Sequence, residues 1–106
     1  MNLFNISFHT HPDLKNEVLH VIRQQFVPAM EQSGIFGQPT ITEVMLETDQ
    51  NNVCLGLQMT TDRFGEALDW FESVASPLIR LLYEQYGDKV MTFMTPMKIH
   101  TLKPGS

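Results

Sequence analysis

The chain has 106 residues, 42% hydrophobic and 18% charged, which is the makeup of one globular domain. Its net charge of −5, with seven scattered basic residues, excludes the clustered basic face that nucleic-acid binding needs for counterion release. The single cysteine, Cys54, cannot form an internal disulfide, no apolar run approaches the ~20 residues of a membrane span, and Met1 to Ile6 lacks the marks of a secretory signal. A soluble cytoplasmic domain over residues 1–102 is expected, with a flexible tail at 103–106.

Leu3 to Thr10 alternates, with Phe4, Ile6 and Phe8 on one side and Leu3, Asn5, Ser7 and His9 on the other. Period two predicts a strand with one apolar and one mixed face. Pro12 suits a first helical turn, and Leu14, Val18, Ile22 and Phe26 recur at helical spacing after it. Pro28 should kink the end of this helix by freeing the carbonyl of Gln24, and Gly34 should cap it.

Thr40 to Thr48 and Val53 to Thr60 alternate around the polar cluster Asp49 to Asn52, which predicts a hairpin. Asp62 is placed to cap a second helix with the stripe Phe64, Leu68, Phe71, Ala75, Leu78, Leu82 and Tyr86. Pro77 should bend or split it, and Gly87 should end it. Val90 to Met97 is the last strand. Pro96 within it cannot donate to a ladder, so this strand belongs at a sheet edge.

The order β-α-β-β-α-β predicts an α+β, ferredoxin-like fold: a four-stranded antiparallel sheet with two helices on one face. Strands one and three should be central, two and four at the edges. The other face is expected to carry Leu3, Asn5, Ser7, His9, Met45, Cys54, Gly56, Gln58 and Met94. A face this mixed is expected to pair with a second copy, giving a dimeric α/β barrel with a small cavity.

With that order in hand, Phe26 to Met30, Cys54 to Met59 and above all Tyr86 to Thr95 (an aromatic-Gly-Asp-Lys run and an apolar strand) resemble a family of short bacterial proteins catalogued as a domain of unknown function. The resemblance runs from the first strand to Ile99. It implies a small ferredoxin-like, dimeric α+β barrel protein and no particular activity.

Candidate chemistry is sparse. His9 and His11 form a His-x-His, but no third metal ligand is evident, His100 should lie at the far end of the sheet, and the histidines read as surface or capping groups. Asn5, Trp70 and a histidine are similar to the polar set of haem-degrading monooxygenases, but no histidine follows Trp70 in its helix, so Trp70 reads as packing. Cys54 has no base beside it in sequence and reads as a buried, inert thiol. Glu66 and Asp69 share a solvated helical face, and Gly34 to Gly37 lacks the basic flanks of an RNA clamp. Asn5-Ile6-Ser7 is a glycosylation pattern inside a strand, and the seven methionines read as core and interface filler.

No catalytic residue, metal or cofactor is therefore assigned. The expected ligand-binding set is Asn5, Ser7, His9, Cys54, Gln58 and Met94, lining a cavity between two copies and taking a small apolar or amphipathic molecule. The alternatives are a cofactor-poor monooxygenase or isomerase using that cavity, and a protein-interaction module.

Overall fold

The computed structural model describes residues 1–45 and 52–102. The predicted tail, and most of the predicted hairpin turn with the end of its first strand, lie outside the described residues. The strands are β1 (Asn2–Thr10), β2 (Thr40–Glu43), β3 (Val53–Thr61) and β4 (Val90–Lys98). They form one antiparallel sheet in the order β2-β3-β1-β4. The first and third strands are central, as the handedness of the crossovers requires. Pro96 lies on β4, an edge strand, where its missing N–H leaves no gap in an interior ladder.

Each crossover is a helical rod in two segments. The first joins α1 (Lys15–Val21) through a π-turn (Ile22–Phe26) to α2 (Val27–Ser33). The second joins α3 (Phe64–Trp70) through a π-turn (Phe71–Ala75) to α4 (Ser76–Tyr86). The prolines explain the pattern. Pro28 and Pro77 lack a donor, and their rings press on the carbonyl four residues back. In both rods the residue just before the proline donates five residues back instead, Val27 to the Ile22 carbonyl and Ser76 to the Phe71 carbonyl. The widened turn makes room for the ring. A widened turn thus stands beside each proline, where a kink (Pro28) and a bend or split (Pro77) were expected.

Local signals set the ends. His11 caps a 3-10 turn (Pro12–Leu14), its Nδ1 accepting from the Asp13 amide at 3.3 Å. Gly34 closes the first rod at φ 71°, a conformation that favours glycine. Asp62 does not cap the second rod. Arg63 is its N-cap, with no side-chain cap hydrogen bond; just ahead of it the hydroxyl of buried Thr61 accepts from the Arg63 amide at 2.9 Å and donates to the Ile35 carbonyl at 2.6 Å. Gly37 donates to the Thr60 carbonyl at 2.8 Å, and a Cβ there would meet Thr60 Oγ1 at 2.6 Å. This glycine lets the chain touch β3 on its way into β2.

The core lies between the rods and one sheet face. Phe4, Ile6 and Phe8 of β1 and Leu55, Leu57 and Met59 of β3 meet Val18, Ile22, Phe26 and Met30 of the first rod and Ala67, Trp70, Ala75 and Leu82 of the second. Full burial contributes about 1.5–3 kcal/mol for each large apolar side chain. Phe8 and Phe26 join sheet to rod edge-to-face at 5.3 Å, and Trp70 meets Phe36 at 4.9 Å. At the start of the second rod Ala67 and Trp70 are buried while Phe64 and Leu68 are partly exposed, so the buried stripe is rotated from the one expected. Among the described residues no helix is long and apolar enough to cross a membrane.

Candidate functional site

The side chains of β1 that do not enter the core face away from both rods. The ladder register arranges this outward face in four rows across β3, β1 and β4: Cys54–His9–Met91, Gly56–Ser7–Phe93, Gln58–Asn5–Thr95 and Thr60–Leu3–Met97. Thr42 and Thr40 of β2 extend the second and third rows. Successive side chains of a strand alternate sides, so each row holds neighbours roughly 4.5–5.5 Å apart at Cβ.

Asn5, Ser7, His9, Cys54 and Gln58, all expected on this face, are brought together on it. Met94 is not. It pairs with Ile6 and packs against the core on the rod side. The alternation of β4 was legible, but its phase is the reverse of the one expected: Met91, Phe93, Thr95 and Met97 point outward. Met45 is also displaced, lying beyond the last residue of β2 and 86% exposed. It shares the parity of Ile41, which packs against the core.

The polar groups touch. Asn5 Nδ2 donates to Ser7 Oγ at 2.7 Å. Gly56, opposite Ser7, is buried at the middle of the face, where neighbouring side chains crowd over it. A Cβ added there would sit 2.5 Å from Thr42 Oγ1 and 3.1 Å from Asn5 Oδ1.

Cys54 is half-buried rather than buried, and the partner absent from its sequence neighbourhood is across the ladder: His9 Nε2 lies 4.0 Å from its Sγ. The Phe93 ring stands edge-to-face against His9 at 5.6 Å and steadies the imidazole. The His9–Cys54 contact joins residues 45 apart in the chain, so only the strand register could have revealed it.

Other candidates fall away from the face. Trp70 is buried under the rods, on the opposite side of the sheet from Asn5, so the monooxygenase-like set is divided by the sheet. His11 serves as a cap, and His20 and His100 are exposed. Glu66 is exposed and pairs with Arg63 at 3.3 Å. Among the described residues no group of three His, Cys, Asp or Glu side chains is placed to hold a metal. Surface grooves of about 540 and 480 Å³ lie beside β2 and between α4 and β4, and neither is lined by the polar set.

No curated protein matches the chain. A family model does, over residues 1–100, and covers every strand and both rods. The chain therefore belongs to the family described as domain of unknown function (DUF4286).

Proposed function

We propose that the chain works as a homodimer in which two outward sheet faces pack together and leave a small cavity for an apolar or amphipathic molecule. One observation carries this reading. The fourteen outward strand positions in the four rows and β2 include no Asp, Glu, Lys or Arg. A solvated protein surface is about 25–35% charged, so about four would be expected. Instead the β4 side carries Met91, Phe93 and Met97, exposed by 50, 51 and 38%. No element of the described chain covers them.

The same face supports the cavity. Sheets packed face to face stand about 10 Å apart, and their side chains fill the gap. Phe93, Met91, Met97 and Leu3 are large enough to do so; Gly56, Ser7, Cys54 and Thr42 are not. Packing through the large side chains leaves space over the small ones, bordered by Asn5, His9 and Gln58. A mostly apolar space with a few convergent polar groups suits a small amphipathic ligand. The lone thiol and the absence of an internal disulfide go with a reducing cytoplasm.

Sedimentation of the purified chain at micromolar concentration tests the reading. A species of twice the 12.2 kDa chain mass is expected. A monomer at that concentration refutes it. Thermal-shift screening against fatty acids, quinones, flavin and haem then identifies the occupant by the melting temperature it raises.

A further inference from the structure

We propose that Cys54, His9 and Met91 form a binding site for a soft monovalent metal ion, copper(I). The three occupy one row on adjacent strands of the outward face, with His9 central and opposite both partners. Their donors are a thiol, an imidazole and a thioether, the set that selects copper(I) over hard cations. No carboxylate stands on this face to recruit magnesium, calcium or manganese.

The Cys54–His9 separation chooses among geometries. Metal bonds of about 2.3 Å to sulfur and about 2.0–2.1 Å to imidazole nitrogen put the two donors about 3.6 Å apart around a tetrahedral ion and about 4.4 Å apart around a linear one. Cys54 Sγ and His9 Nε2 are 4.0 Å apart. An ion between them would be held at an angle of about 135°, which leaves one side open for a third donor. Copper(I) is at ease with two or three ligands, whereas zinc seeks four. Met91 is half exposed and has three rotatable bonds, so its sulfur can swing to the row without disturbing the core.

The site is also reachable. His9, Cys54 and Met91 each stand one residue from the same end of the sheet, next to Thr10, Val53 and Val90. An ion could therefore enter at the rim of the dimer, away from its closed middle. On binding, the Cys54 thiol gives its proton to solvent and forms a sulfur–copper bond; the copper stays in the +1 state, so no oxidant or reductant is consumed.

The inference goes beyond the homodimer reading, because one chain supplies all three donors. Its test is titration of the full chain with copper(I), anaerobically and in competition with bicinchoninate. One ion per chain is expected. Cys54→Ser and Cys54→Ala should abolish retention, and Met91→Leu should weaken it by about tenfold or more, as loss of a ligand requires. Met97→Leu, on the same face at the other end of β4, should bind as the unaltered chain does. Circular dichroism and sedimentation of each variant show whether fold and assembly are intact, so failure of the metal site is distinguishable from failure of the dimer. The proposal is overturned if Cys54→Ser retains copper(I) as the unaltered chain does, or if Met91→Leu and Met97→Leu behave alike.

Discussion

Replacing Phe93 by aspartate should dissociate the proposed dimer. The size of the effect follows from the exposed face. Phe93 is 51% exposed in the single chain. An aromatic side chain buries about 150–250 Å² in full, so about 100 Å² remains to be covered. At about 25 cal/mol per Å² this is about 2.5 kcal/mol. A two-fold interface contains the residue twice, which brings the loss to about 5 kcal/mol, or several thousandfold in Kd. Interface area converts imperfectly into affinity, because ordering and imperfect polar pairing offset part of it. A weakening of at least about a hundredfold is the working expectation, and the aspartate adds the cost of burying a charge. Sedimentation equilibrium over a concentration series measures it. Leu81→Asp serves as control: Leu81 is similarly exposed, at 55%, but sits on α4, on the rod side of the sheet. If Phe93→Asp and Leu81→Asp give the same association constant, the outward face is not the interface.

Other expectations follow from single contacts. Gly56→Ala should destabilise the fold by about 1–3 kcal/mol in urea unfolding, since its Cβ meets Thr42 Oγ1 and Asn5 Oδ1. Adding Thr42→Ala should recover much of that loss, and a double variant no more stable than the single would refute the steric account. A double-mutant cycle on Phe8→Leu and Phe26→Leu should give a coupling of about 0.5–1.5 kcal/mol, the worth of an edge-to-face pair; additivity would deny the contact. The Tyr86 phenol donates to Glu17 Oε2 at 2.8 Å, and that bond, with desolvation and the nearby carboxylate charge, raises its pKa above the ordinary 10.0. The folded chain thus holds this proton more tightly than the unfolded chain does. The contribution is present at neutral pH and is lost as pH rises from about 10 through the raised value. Unfolding measured across that range should show a steeper loss for the unaltered chain than for Tyr86→Phe, and equal slopes would refute the assignment.

Much of this architecture was legible because amphipathic contrast was strong where it mattered. In β1 the contrast of Phe4, Ile6 and Phe8 with Asn5, Ser7 and His9 fixes which side is core. Pro96 marks an edge, and Gly34 marks a helix end. β4 offers no such contrast. Its two sets, Met91, Phe93 and Met97 against Val90, Thr92 and Met94, are both apolar enough for a core, and the more apolar set faces outward. Only pairing with β1 sets the phase, through Ile6 opposite Met94 and Ser7 opposite Phe93. The same holds for His9 and Cys54, whose adjacency is a property of register. The rotated stripe at Ala67 and Trp70 has a different cause. A turn of five-residue hydrogen bonds breaks the 3.6-residue period assumed along the whole rod.

The two π-turns bear on how the chain can change in length. Such a turn lodges one surplus residue in a helix without rotating the segments on either side. Losing one residue from Ile22–Phe26 or Phe71–Ala75 would keep both flanking segments in phase with the sheet but press the proline ring against the tightened turn. A deletion elsewhere in either rod would swing the remaining helix by about 100° and lift its buried side chains off the strands. Each rod thus has one place where a residue can be lost in register, and the proline beside it sets the cost.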